Sequence, residues 1–546
     1  MSLPPDLTSG NVSNDDSDVF ALLDDCGANA TNPCSRLYSQ HVDTLSCSTS
    51  DAFPALLIQM QQALQHGFYA VGLFSYELGA ELMKTAQHPL EQPLAQILLF
   101  KSCQQLSAEQ VQAWLEQPGK SNKKQQPAST HVHAAPAGIV RIRANISESR
   151  FAQAIDRIRA YIAAGDIYQA NYTYRLRFDA FGSLHALYLR LRRRQPVPYG
   201  ALIALPDGRA VLSFSPELFV RHENGWMTAC PMKGTAPAGC DPQQDAANAQ
   251  ALASDPKNRA ENLMIVDLLR NDLGRVAALG SVAVPELFRV KRYGSVLQMT
   301  STIHAQLRPD ITLAQIFTAL YPCGSITGAP KRRAMQILRE LEPDPRGIYT
   351  GSIGWFDPVT NNGTQKIGNF CLSVPIRTLV LQAPLLDGTR TGEMGVGAGI
   401  VHDSEVAAEY AECQLKARFL TGLPQEFTLF ETLHVTRSDG YRHLALHLQR
   451  LRASADYFGF AYIEDRVSKT LEDALDNLQL DRAYRAKLTL DQSGQCVLEV
   501  APLAPLPAKV TVLMGAHPTN AADLFLRHKT TVREGYDAAW RAAEDL

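Results

Sequence analysis

The chain has 546 residues, 45% hydrophobic and 20% charged, enough apolar material for more than one domain core. Its net charge of −3 gives no electrostatic case for a nucleic-acid or anionic-membrane partner, and no run approaches the ~20 apolar residues that span a bilayer. Ten cysteines lie scattered without a CxxC pair or zinc spacing, so we read them as reduced thiols of a cytoplasmic protein.

The opening stretch, "MSLPPDLTSGNVSNDDSDVF", is polar and acidic, and we expect no signal peptide in it. A helix-like run from Ala55 to Gln65 and a strand-like run, "FYAVGLFSYELG", follow in an N-terminal unit expected over 1–116. Residues 117–138, "QPGKSNKKQQPASTHVHAAPAG", are Pro-rich and aperiodic, and read as a linker or surface loop. A central unit is expected over 139–420. There Phe151, Ile155, Ile158 and Ile162 mark an amphipathic helix, and "ALIAL" and "AVLSFS" are strands joined by a "PDG" turn. "PMKGT" reads as a tight turn holding Lys233. "ENLMIVDLLRNDLG" reads as a helix buried on nearly every face, ended by Gly274. "GAPKRRAMQILREL" opens a helix at Pro330, and "DSEVAAEYAECQLKARFL" opens one capped by Asp403 or Ser404. From 421 to 546 a third unit begins, with short strands and helices; no repeat at solenoid periods is present.

Glu409 and Glu412 stand three apart and share a helix face, while Glu261 opens the apolar helix. Three such carboxylates suit a hard cation such as Mg²⁺, which takes oxygen ligands and keeps waters. The same spacing also gives Glu412 and Lys416 an ordinary i,i+4 surface pair. "CGSITGAPK" offers the hydroxyls of Ser325 and Thr327 and a flexible Gly328 before a helix N-terminus, which favours an anion. "GVGAGIV" places Gly395, Gly397 and Gly399 where backbone can approach a ligand, without the context of a dinucleotide site. Arg377, in the strand-like "SVPIRTLVL", could fork onto a carboxylate. Taken singly, each of these also reads as a structural turn or a surface arginine.

Together, "DIYQANYT", "SPELF", "PMKGT", "AENLMIVDLLRNDLGRV", "GSITGAPKRRAMQI", "GIYTGSIGW" and "GAGIVHDSEVAAEYAEC" resemble the chorismate-utilising enzymes, in the family's order. The resemblance implies an α+β fold: a sandwich of two large, mostly antiparallel sheets with helices outside and the site between them. It implies Mg²⁺ on Glu261 and Glu412, with Glu409 beside them, holding the ring carboxylate of chorismate. Tyr349, Arg377 and the backbone at Gly397 and Gly399 would hold the enolpyruvyl carboxylate. Ser325 and Thr327 would line the ring-carboxylate end, and Glu217 would be the general acid for the departing 4-hydroxyl.

Within the family, the anthranilate-forming enzymes carry a small residue where this chain has Lys233, and the aminodeoxychorismate synthases carry lysine. A neutral lysine amine can attack ring C2 as the 4-hydroxyl leaves; ammonia then attacks C4 and expels it, splitting one hard step into two. Burial or a nearby cation should depress its pKa. Gln169 stands where water-adding relatives carry a lysine base, and a glutamine cannot be one. Asn258 and Gln298 depart from the family, where many relatives have an acid and a histidine. No glutaminase segment is visible, so the resemblance implies ammonia from solution or from a separate glutamine amidotransferase subunit. Anthranilate synthase component I is the alternative reading.

"FTLFETLHV", "HLALHLQRLRASADYFGF" and "LRHKTTVREGYDAAW" resemble the aminodeoxychorismate lyases, fold-type IV pyridoxal-phosphate enzymes. By that match Arg450 would touch the cofactor phosphate and Lys529 would form the Schiff base, making a completed chain a bifunctional synthase and lyase. The chain ends seventeen residues after Lys529, whereas complete members run for about another hundred, so we expect PLP to bind weakly or not at all.

Overall fold

The computed structural model describes residues 19–117, 136–293, 296–359, 366–480, 482–505, 509, 512, 514, 519 and 523–544. The expected linker falls outside the described residues, apart from 117 and 136–138, and so does nearly all of the opening polar stretch.

The spine is strand Gln169–Phe181, paired antiparallel along its length with Arg390–Ile400. Gly397 permits that approach, since a Cβ there would lie 2.5 Å from the Tyr172 carbonyl oxygen. From this pair the ladder runs through Thr378–Leu381, Ala210–Ser215 and Tyr199–Ala204 to Phe20–Asp24. It continues through Ser35–Cys47, Ala95–Leu106, Tyr69–Phe74, Ser352–Phe356 and Phe370–Ser373 to Leu218–Glu223. Trp226–Cys230 and Val296–Gln306 extend it, and Met232–Pro237, Ala283–Tyr293, Gly138–Ala144 and Gly328–Ala329 pair onto it. Among the described residues eighteen strands share this network, and the pairings are all antiparallel.

The α+β class is as expected, with one refinement. The N-terminal strands stitch the two halves together, so the two faces belong to one curved sheet. "FYAVGLFSYELG" is strand only to Phe74; Ser75 caps a helix, Tyr76–Leu82, by accepting from the Leu78 amide at 3.2 Å.

Helices cover both faces. Glu148–Ala163 buries Phe151, Ala154, Ile155 and Ile158 against the spine, with Ser147 as its cap. Burying each large side chain contributes about 1.5–3 kcal/mol, and Phe151→Ala should cost about 3–5 kcal/mol. On the other face, Leu269 and Phe317 pack with Phe74 and Leu57. The helix carrying Glu261 spans Pro256–Gly274 and is amphipathic: Leu263 is exposed, so it is not buried on nearly every face. Glu261 lies in its second turn, because Asp255 caps it from before Pro256. Helix Val406–Thr421 is preceded by Glu405 and uses neither expected cap; the Ser404 hydroxyl donates to Glu409 instead.

The tail is a four-stranded sheet with helices Leu444–Phe458 and Glu464–Leu475 on it. It packs on the larger body through an aromatic seam, with Phe181 against Phe427 and Phe525 at 6.3 and 5.7 Å, and through ion pairs such as Arg527–Asp387 at 2.7 Å. Among the described residues no helix is long and apolar enough to cross a membrane.

Candidate active site

Lys233 sits in a strand, Met232–Pro237, and not in a turn. The register against Val296–Gln306 slips between Met232 and Thr235, which makes Lys233–Gly234 a bulge. Gly234 has φ +88°, and a Cβ there would press on Asn258 at 3.0–3.1 Å. Asn258 is therefore packing under the bulge, tied to Asp255 by its side-chain amide at 2.8 Å. The bulge turns Lys233 inward, where its Nζ donates to the carbonyl oxygen of Ser325 at 2.9 Å.

Ser325 is the meeting point. Its hydroxyl donates to Glu217 at 2.5 Å, and its carbonyl also accepts from the Asn171 side-chain amide at 2.8 Å. Strands from the two ends of the ladder thus close on one residue of the loop 324–328. Burial pushes the Lys233 amine below the usual lysine range, the net result although the carboxylate of Glu217 opposes it. Lys233 is half-buried by surface but enclosed by protein on most sides. Burial pushes Glu217 up, against the Ser325 hydroxyl and the charges of Lys233 and Lys416.

Thr327 is wholly buried, and its hydroxyl donates to the carbonyls of Cys323 and Gly324 at 3.3 and 3.1 Å. The hydroxyl expected at the ring-carboxylate end is thus turned back onto its own loop. Gly328 is not flexible: a Cβ would lie 2.2 Å from the Gln169 carbonyl oxygen. Gln169 is fully buried with both amide atoms unpartnered among the described residues, and its Nε2 would lie 2.6 Å from a Cβ on Gly399. Tyr349 is buried against Gly395, where no side chain fits.

Arg377 is not in a strand. It stands between Phe370–Ser373 and Thr378–Leu381 with φ +52°. Its Nη1 is buried without a partner, and no acid pairs with it among the described residues, so burial alone lowers its pKa to about 10. An uncompensated guanidinium is a ready receptor for a carboxylate.

The carboxylates come from two helices. Burial raises Glu261, and the charge of Glu412 adds to it; burial and Glu412 likewise raise Glu409, against the Ser404 hydroxyl. Burial also works on Glu412, but Lys416, 2.8 Å away, outweighs it and holds Glu412 low. These are hard oxygen donors coupled by charge, Glu412 acting on both Glu261 and Glu409, and oxygen donors are what Mg²⁺ takes. Among the described residues they do not close into a three-ligand cluster. The i,i+4 pair is present, yet Lys416 is more than a surface partner: its Nζ also donates to Gly397 O at 2.9 Å and its charge acts on both Glu217 and Lys233.

The chorismate binding enzyme family model matches residues 21–422, about three-quarters of the chain, and takes in every core residue just described. The chain belongs to the chorismate binding enzymes. It is 44% identical over 270 residues to the aminodeoxychorismate synthase component 1 of Klebsiella aerogenes, covering 50% of this chain and 56% of that one. It is 40% identical over 292 residues to an anthranilate synthase component 1 of Haloarcula marismortui, covering 53% and 55%. The chain thus spans about half the length of the curated relatives it matches. Anthranilate synthase component I of Streptococcus pneumoniae superposes with a TM-score of 0.55 at 25% identity, covering 74% of this chain and 90% of that one. The class IV amino-transferase model matches residues 428–546.

In that last region this chorismate binding enzyme draws its two expected cofactor residues onto one acid. Arg450 forks onto the buried Glu431 at 2.7 and 2.6 Å, and Lys529 lies 3.8 Å from it. His447 reaches the same carboxylate at 2.7 Å. Sequence reasoning passed over Glu431, Asn171 and Arg346, although "FTLFETLHV" and "DIYQANYT" contain the first two.

Proposed function

We propose that this chain aminates chorismate to 4-amino-4-deoxychorismate. The observation that carries the reading is the Lys233 amine, depressed by burial and aimed by a bulge at the loop that also holds Glu217. The neutral amine forms a bond to ring C2; the double bonds shift and the C4–O bond breaks. Glu217 delivers the proton with which the hydroxyl leaves as water. Ammonia then bonds to C4 and its extra proton returns to Glu217, the double bonds shift back, and the C2–N bond breaks to release Lys233 as the neutral amine. The net exchange is ammonia in and water out.

Arg377 and Tyr349, with the Gly397–Gly399 backbone, hold the enolpyruvyl carboxylate. Glu261 and Glu412, with Glu409 beside them, would hold Mg²⁺, which supplies positive charge for the ring carboxylate. A separate glutamine amidotransferase subunit supplies ammonia, a reading supported by the component 1 naming of relatives. It fails if glutamine supports no turnover once that subunit is added. The ten free thiols fit a reducing cytoplasm. Arg450 and Lys529 are cations that suit a phosphate-bearing aldehyde cofactor, but Glu431 occupies both, and we assign the tail no step.

The deciding experiment is product analysis with chorismate, Mg²⁺ and an ammonium salt, wild type against Lys233→Ala. Aminodeoxychorismate from wild type, lost in the variant, supports the reading. Anthranilate from both would put the chain with its other relatives.

A further inference from the structure

Behind the site lies a guanidinium with all five of its N–H groups used. Arg346 is 3% exposed, and its Nε and Nη2 fork onto Glu342 at 2.9 and 2.7 Å. Nη2 also donates to the Asn171 carbonyl at 2.6 Å, and Nη1 to the Ile326 carbonyl at 3.0 Å and the Thr350 hydroxyl at 3.4 Å. Glu342 Oε1 further accepts the Thr173 amide and hydroxyl, each at 2.9 Å. The main chain of Arg346 and Gly347 donates to Glu77 at 2.7 and 3.0 Å, and the guanidinium stands 4.4 Å over the Tyr76 ring.

A buried ion pair needs no function; replacing one by apolar residues is often neutral for stability. What distinguishes this pair is where its spare donors go. Ile326 follows Ser325 directly, and Asn171 is the residue whose side chain shares the Ser325 carbonyl with Lys233. The fork therefore grips the main chain on both sides of the acceptor that sets the lysine. Asp24 and Arg192 form a comparable buried pair, 2.6 Å apart, that makes no such contact with the site segments.

We propose that Glu342 and Arg346 are positioning residues for the amination, holding the Ser325 carbonyl where Lys233 can rest on it. This rests on the proposed role of Lys233. Neither residue touches the reacting atoms; Arg346 acts through Asn171 and Ile326, and Glu342 through Arg346 and Thr173. Displacing a reacting group by ~1 Å typically costs about 100-fold in rate.

The test compares Glu342→Met/Arg346→Met with the same exchange at Asp24 and Arg192. For the first double variant we expect kcat to fall about 100-fold with KM for chorismate changed less than about 3-fold. The Asp24/Arg192 variant should keep kcat once corrected for its folded fraction. A second readout needs no turnover: acetic anhydride labelling of Lys233, followed by peptide mass spectrometry across pH. The pH at which Lys233 becomes reactive should move up towards ordinary lysine in the first variant and stay put in the second. If the first variant does not fold, Arg346→Lys, which keeps the charge and loses the fork, should show the same kcat loss at about 10-fold or more. A folded variant with wild-type kcat and an unmoved labelling profile overturns the proposal. If Lys233→Ala itself keeps full activity, the amination reading fails instead, and the labelling result still reports on the positioning.

Discussion

Lys233 and Glu217 form no direct ion pair; each rests on a different part of Ser325, the amine on its carbonyl at 2.9 Å and the carboxylate on its hydroxyl at 2.5 Å. The proposed nucleophile and the proposed acid are thereby kept apart by one residue without pairing to each other. Burial moves the two in opposite directions, the amine down and the carboxyl up. The proposed amination needs the first neutral and the second protonated, so its rate should follow a bell in pH. Glu217→Gln should lower kcat by about 100-fold or more and abolish the alkaline limb, leaving a profile that only rises with pH. An unchanged alkaline limb would remove Glu217 from the acid role.

Lys416 should set where the bell falls. Its charge lowers the pKa of Lys233 and of Glu217 alike, so Lys416→Met should raise both. The whole profile of kcat/KM should therefore move to higher pH. A variant with the wild-type profile would show that Lys416 serves Glu412 and Gly397 alone.

Arg377 should trade function against stability. The group is buried without an acid and its pKa falls to about 10, so its charge opposes folding at neutral pH. Arg377→Met should stabilise the fold by roughly 1–3 kcal/mol while raising KM for chorismate more than about 10-fold. Urea unfolding and steady-state kinetics on one preparation check both signs. Lower stability in Arg377→Met would mean that an unseen partner already compensates the charge.

Gly234 carries a positive φ directly after Lys233. Gly234→Ala should cost about 1–2 kcal/mol from the backbone, and more if Asn258 cannot yield. Activity should fall beyond the loss of folded protein, because the bulge aims Lys233. Gly234→Ala combined with Asn258→Ala should recover stability before it recovers rate.

Glu431 should make the tail acid-sensitive. Burial alone would raise its pKa, but the Arg450 fork and His447 outweigh it and hold it below the usual glutamate range. A carboxylate depressed in the folded state contributes stability above its unfolded pKa and loses it as pH falls through the folded one. The contribution should be complete above pH 4.5 and fade below it, and Glu431→Gln should remove that acid dependence. Tryptophan fluorescence of Trp540 in a protein with its other tryptophans replaced would follow it.

The family strings made most of the site's chemistry legible, because each carries a reactive side chain in a recognisable local frame. Residues whose work is done through main-chain atoms stayed hidden. Arg346 reaches Asn171 and Ile326 across 175 and 20 positions, and nothing local in "EPDPRG" announces that. Lys233 reads as a turn because Pro231 and Gly234 flank it; the bulge exists only once the partner strand sets the register. The resemblance counts residues 1–116 as part of the same fold, but how they join it stays hidden, because pairing between Phe20–Asp24 and Tyr199–Ala204 leaves no trace in local periodicity. The resemblance puts Thr327 at the ring-carboxylate end, and only the loop's conformation shows its hydroxyl turned back on the carbonyls of Cys323 and Gly324.

The acceptor that positions Lys233 is a peptide oxygen, present whatever residue occupies 325. Replacing Ser325 by alanine deletes the hydroxyl that meets Glu217 and leaves the lysine's anchor in place. A mutational scan would therefore score position 325 for its acid-side role only, and the lysine-side role would surface at distant positions that move the peptide. Genetic sensitivity and chemical contact need not coincide in this cleft.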